Sequence, residues 1–194
     1  MTLYTVTDVA NFFIDYYSRS VDPVNLPRAQ LLCYFAQAES LCRNGRLLFE
    51  DTFRAYSWGP GLTRLEFYYE GAGNMPIKVY KEYDPELFDE EDRQLLMDVA
   101  IFYNKYSTMQ LQILSYENGG PWLTVYSKGS DLLDIDNGLI KDFYSKCPRI
   151  ADYREQVREL ISSSYPACSI SALNKEEDSP TVVYSDNESS CTWE

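Results

Sequence analysis

Histidine is absent from the sequence. The chain therefore has no imidazole base, no Ser-His-Asp or Cys-His nucleophile system and no His-containing zinc site, which excludes most common hydrolase mechanisms. Basic residues are scarce: 17 Lys and Arg stand against 30 Asp and Glu, a formal charge of -13 at pH 7 with a pI near 4.4. Such a surface repels phosphate and anionic lipid on average, so neither direct nucleic-acid binding nor membrane binding is expected. The five cysteines, at 33, 42, 147, 168 and 191, contain no C-x-x-C pair and are too scattered for a disulfide framework, which suits a reducing compartment. No apolar run approaches the ~20 residues needed to cross a bilayer. MTLYTVTDVA lacks the basic and apolar regions of a signal peptide. These absences predict a soluble, cytoplasmic protein.

Nucleotide and metal motifs are missing as well. GAGNMP supplies two glycines without a third or a following GK[ST]. In DLLDIDNG, setting Gly138 as the sixth residue of an EF-hand loop places Leu133, Ile135 and Tyr144 at positions one, three and twelve, none of which offers a carboxylate. The acids Glu86, Asp89, Glu90, Glu91 and Asp92 could attract a hard cation, but a helix start explains them more simply. No cofactor, no metal and no catalytic residue follows from the sequence, and the chain is read as non-enzymatic. Cys33 and Cys42 fall in or beside an apolar helical stripe, where cysteine behaves as a small hydrophobe.

What is present is a core. Across 194 residues, 45% are hydrophobic and 15% aromatic, enough for one ordinary domain with an extended terminus. Thr5 and Asp8 have capping-box spacing ahead of Val9, Phe12, Phe13, Tyr16 and Tyr17, which predicts a first helix ending near Ser18 to Ser20. Asn25 caps a second helix with Pro27 in its first turn and a stripe of Leu31, Tyr34, Phe35, Ala38, Leu41 and Cys42, stopped at Asn44-Gly45. LLFEDTFRAYSWGPG reads as short strand or extended chain followed by a turn. Leu62 to Glu70 reads as helix, and IKVYKEYDP, with Ile77, Val79 and Tyr83, as a short strand. Further helices are predicted after Asp89, after Ser107, around Trp122, after Asp136 and from Pro148 to Ile161. The fold class is thus α+β and mostly α-helical, with a small β element in the middle of the chain. Residues 162–194, rich in Ser and acids, are expected to form a flexible tail. Its Val182-Val183-Tyr184 and Trp193 serve either as partner anchors or only within a solubilising tail.

Seventeen tyrosines exceed what a core can satisfy, because every hydroxyl needs a partner or water. Tyr68, Tyr69, Tyr80, Tyr83 and Tyr116 lie near predicted turns or strand edges and are the candidate partner-binding residues.

The strings TVTDVANFFID, LPRAQLLCYFAQAESLCRNGRLLFEDTFRAYSWGPG, FDEEDRQLLMDVAIFYNKYS and LSYENGGPW, in this order, resemble the Panacea domain of SocA-like antitoxins, also found in phage-associated proteins. The similarity runs from about Thr5 to Lys146. Its signature falls on Val9, Ala10, Asn11, Ala36, Gln37, Trp58, Gly59, Pro60, Pro121 and Trp122, with Trp58-Gly59-Pro60 and Pro121-Trp122 expected to be chiefly structural. Ser115-Tyr116 replaces a Thr-His pair common in the family, and Gln30 and Glu39-Ser40 depart from its usual second helix. The resemblance implies a helical domain without a catalytic centre that binds and neutralises a partner toxin, directly or as an adaptor for a protease. Three segments are expected: an antitoxin-like domain over 1–146, an amphipathic helix over 147–161 that packs on or extends it, and the acidic tail over 162–194. The partner is expected to be a small basic toxin or a host defence protein. In the alternative reading the acidic surface mimics nucleic acid to inhibit such a defence protein. The oligomeric state is left open.

Overall fold

The computed structural model describes residues 3–18, 20, 23–78, 84–126 and 132–164. Two compact units divide the chain, one from Met1 to Glu155 and a second beginning at Gln156. Among the described residues no helix is long and apolar enough to cross a membrane.

Local chemistry starts most of the helices. Helix α1, Val6–Tyr16, opens with a complete capping box between Thr5 and Asp8, and α2, Leu26–Arg43, opens with the Asn25 side chain accepting from the Arg28 N–H at 3.0 Å. Asn25 thus satisfies one of the orphan donors of the first turn, where Pro27 costs no hydrogen bond. Helix α1 stops at Tyr16, two residues before the expected end, because the Tyr17 ring is taken into the core, where its hydroxyl donates to the Ala100 carbonyl at 2.5 Å. Helix α3 spans Thr63–Tyr68, α4 Glu90–Tyr103 behind an Asp89 cap, and α5 Thr108–Ser115 behind a Ser107–Gln110 capping box. Helix α6 covers Pro121–Tyr126, α7 Asn137–Tyr144 behind Asp136, and α8 Arg149–Ser164.

The only strands among the described residues are β1, Arg54–Tyr56, and β2, Gly59–Gly61, paired antiparallel with Ala55 opposite Pro60. The extended segment at 132–135 runs along the other side of β1. There the Ala55 N–H donates to the Leu133 carbonyl at 2.9 Å and the Ile135 N–H to the Phe53 carbonyl at 2.7 Å. The strand expected around Ile77 is not found over its described residues. Ile77 is buried, and its N–H is taken by the Val24 carbonyl at 2.8 Å rather than by a sheet neighbour. Tyr80 and Tyr83, and the rest of that segment as far as 83, lie outside the described residues, as does the expected tail beyond Ser164.

Helix α2 is the axis of the first unit. It packs against α1, α3, α4, α5, α7 and β2, so the single apolar stripe read from its sequence understates its burial. Arg28, Gln30, Gln37 and Ser40 are buried along with Leu31, Cys33, Tyr34 and Phe35. Each of these four polar side chains has a partner, as burial demands. The Arg28 guanidinium donates to the Tyr106 carbonyl at 2.8 Å and lies 5.1 Å from the centre of the Tyr17 ring, while Ser40 donates to the Arg46 carbonyl at 2.8 Å. The two glutamines bond backbone groups. The start of α8 belongs to this unit: Ile150 is in the core, and Tyr153 meets Phe102 edge-on at 5.4 Å.

Candidate functional site

The β1–β2 hairpin gathers the aromatic residues that the sequence scatters. Tyr56 and Trp58 stack at 4.9 Å across the turn. Their rings lie over Gly61: a Cβ there would sit 2.4 Å from the Trp58 ring and 2.8 Å from that of Tyr56. Only glycine fits beneath the stack. On the other side, the Trp122 indole N–H donates to the Tyr56 carbonyl at 2.8 Å, and Trp122 stacks between Tyr116 at 4.2 Å and Tyr126 at 4.7 Å. Gln112 ties the two groups together, donating to the Trp58 carbonyl at 2.6 Å and to the Tyr116 hydroxyl at 2.7 Å. Trp58, Gly59, Tyr116 and Trp122 are therefore one assembly, built from the turn and from the starts or ends of α5 and α6.

Beside this hairpin a cleft of about 360 Å³ opens between the start of α2 and the α3 region, lined by Leu26, Pro27, Gln30, Trp58, Glu66 and the Gly73-Asn74 pair. The Tyr56 hydroxyl donates to the Glu66 carboxylate and also lies against the Thr63 hydroxyl, each at 3.1 Å. Next to these lining residues in the chain, Phe67 is 73% exposed, Met75 70% and Tyr68 43%.

The remaining candidates separate into core and surface. Val9, Ala10 and Ala36 are buried, and Asn11, also buried, accepts from the Tyr69 hydroxyl at 3.0 Å. Gln37 is buried with its amide on the backbone of Leu48 and Phe49. Tyr69 is 1% exposed, which corrects its expected surface position: it follows Leu62 and Leu65 on the inner stripe of α3, and its bond to Asn11 anchors that stripe to α1. Tyr68, its neighbour, points outward, and Tyr116 is half-buried. Phe67 and Met75 are surface residues that the sequence reading missed. The usable signal was Phe67 standing off the Leu62–Leu65–Tyr69 stripe.

A second cavity, of about 330 Å³, lies among α2, α4, the end of α7 and the start of α8, with Arg43, Arg149, Arg154, Tyr103, Tyr144 and Cys42 in its wall. Its charges are engaged within the chain. Arg43 bonds Glu39 at 2.6 Å and Asp98 at 2.7 Å, Arg154 bonds Asp98 at 3.1 Å, and Arg149 bonds Glu117. Burial pushes the Tyr103 and Tyr144 phenols and the Cys42 thiol above their ordinary values, and it does the same to Cys33 on the inner side of α2. These shifts keep the groups protonated; none activates a nucleophile. Among the described residues no cluster of Cys, Asp and Glu could hold a metal ion.

Residues 31–123 match the family model described as antitoxin SocA-like, Panacea domain. The matched span contains Ala36, Gln37, the hairpin with Trp58, and Pro121-Trp122; it is narrower than the Thr5–Lys146 similarity read from the motifs and leaves out Val9, Ala10 and Asn11. No curated protein and no solved structure matches the chain.

Proposed function

We propose that the chain, whose residues 31–123 match the model of the SocA-like Panacea antitoxins, is a non-enzymatic, cytoplasmic antitoxin that binds and neutralises a partner toxin by direct protein contact. The family match carries the reading. The site supports it physically, because the matched region presents exposed Phe67, Tyr68 and Met75 beside a cleft, while its buried Tyr and Cys groups are held in their unreactive forms. A basic toxin would be drawn to a chain of net charge -13. Several of the acids from Glu86 to Asp92 are committed to contacts within the chain, although all but Asp92 are exposed, which favours aromatic docking over a free row of charge that mimics the nucleic-acid backbone. Glu86 pairs with Arg93 at 3.0 Å, Asp89 caps α4, and Asp92 is buried on Arg46 at 2.7 Å.

Neutralisation proceeds by occluding the toxin or by delivering it to a protease, two routes that differ in toxin half-life. The test is co-expression with the product of the adjacent open reading frame in its host, which this reading expects to be a small basic protein. Growth arrest relieved by the chain, with the two proteins recovered as a complex, is the expected outcome. Undiminished toxicity with both proteins soluble and abundant would reject the proposal.

A further inference from the structure

The cleft beside the hairpin contains a carboxylate, that of Glu66, with no ion-pair partner among the described residues. The cation nearest in sequence, Arg64, is turned to Asp51 at 2.7 Å. The Tyr56 hydroxyl holds one carboxylate oxygen of Glu66 at 3.1 Å and so fixes its direction. Trp58 supplies an aromatic wall, kept in place by its stack on Tyr56 over Gly61, and Leu26 and Pro27 supply apolar surface. A fixed carboxylate, an indole and an aliphatic wall in a cleft of about 360 Å³ are the elements that recognise a long cationic side chain.

We propose that this cleft receives an arginine side chain of the protein partner, with its guanidinium against the Trp58 ring and its N–H groups on the Glu66 carboxylate. Arginine fits better than lysine because its planar fork both stacks on an aromatic ring and bonds a carboxylate in two places, whereas an ammonium is a compact and more strongly hydrated charge. The Gln30 amide is already closed on the Leu62 backbone, so Asn74 is the remaining neutral amide of the lining and Glu66 its one charge, which favours a cationic side chain over an acidic one. Phe67 and Met75 lie next in the chain to the cleft residues Glu66 and Asn74 and stand in water, where a partner carrying such an anchor could cover them. The inference rests on the chain being a protein-binding module, and adds the partner residue that the surface selects.

The test uses the full chain and two small probes, N-acetyl-arginine amide and N-acetyl-citrulline amide, which match in shape but differ in charge. Binding is followed through the indole N–H resonance of Trp58, assigned with Trp58→Phe. The arginine probe is expected to shift that resonance saturably, and both the citrulline probe and the Glu66→Gln variant are expected to weaken binding by at least about fivefold. Absence of a shift with the arginine probe, or a smaller difference in either comparison, overturns the proposal. The outcome is separable from the antitoxin reading. A chain that neutralises its toxin yet ignores the arginine probe leaves that reading standing and removes the cleft. A Glu66-dependent response to the probe in a chain that captures no protein removes the antitoxin reading instead.

Discussion

Gln30 and Gln37 stand two helical turns apart on α2, and each closes its side-chain amide on both kinds of backbone group of an adjoining extended segment. Gln37 accepts from the Leu48 N–H at 2.9 Å and donates to the Phe49 carbonyl at 3.0 Å; Gln30 accepts from the Leu62 N–H at 2.7 Å and donates to the Leu62 carbonyl at 3.4 Å. Both glutamines are buried, so each does for an irregular segment what a neighbouring strand would do in a sheet. The segments held in this way enter and leave the hairpin that carries Trp58.

Replacing Gln37 by Leu keeps much of the volume and strands a buried N–H and a buried carbonyl. Each unsatisfied group costs about 1–3 kcal/mol, so a loss of roughly 2–6 kcal/mol is expected. Urea unfolding should show a lower midpoint at unchanged slope. A midpoint within error of the wild type would mean that the Leu48–Phe49 backbone finds other partners.

Gly61 tests the hairpin itself. A Cβ at this position meets the Trp58 ring at 2.4 Å, and the ring cannot yield without leaving its stack on Tyr56. Gly61→Ala should cost about 1–3 kcal/mol. The same change should alter Trp58 fluorescence and weaken partner capture more than Gly45→Ala does. A Cβ on Gly45 would meet no atom within 4 Å, although the positive φ of 68° there makes that control itself mildly unfavourable. Equal effects on fluorescence and capture in the two variants would show that the Trp58 stack has no special part in the surface.

Much of the helical framework was legible in the sequence because caps are local. Thr5, Asn25, Asp89, Ser107 and Asp136 each announce a helix through a side chain that bonds a backbone N–H two or three residues on. What was not legible depends on contacts distant in the chain. The acid-rich start of α4 suits the helix dipole, yet the deciding partner of Asp92 is Arg46 on the loop after α2. Tyr68 and Tyr69 are adjacent and of one type; the Leu62–Leu65 stripe hints at which one turns inward, but the hydroxyl partner that lets Tyr69 be buried, Asn11 on α1, lies 58 residues away. The cleft was hidden for the same reason. Tyr56 and Glu66 are ten residues apart, on a strand and a helix, and no periodic pattern joins them.

The Arg46–Asp92 pair is the clearest charge commitment in the core. Arg46 donates to Asp92 at 2.7 Å, and the Asp92 side chain is fully buried. Arg46→Met removes the cation and leaves the carboxylate desolvated, which should cost about 3–5 kcal/mol. Combining it with Asp92→Leu should recover most of that loss, because the isolated buried charge, rather than the missing attraction, is the larger penalty. A double variant as unstable as the single one would show that the pair contributes by geometry instead.

Alkaline pH should unfold the protein through its tyrosines. Burial raises the Tyr17 phenol from its ordinary value of 10.0 to about 12, and that of Tyr4 likewise to about 12; Tyr34, Tyr103 and Tyr144 shift in the same direction. Because the native chain holds these protons more tightly than the unfolded chain, their contribution is complete below pH 10 and is lost as pH rises through the native values. Each phenol that stays protonated only in the native state adds a slope of about 1.4 kcal/mol per pH unit. Between pH 10 and 12, stability should therefore fall steeply, and part of the phenolate absorbance should appear only as the helical circular dichroism disappears. Full phenolate absorbance while the helical signal persists would show that these hydroxyls are reached by solvent, and that the aromatic core around α2 is looser than its packing implies.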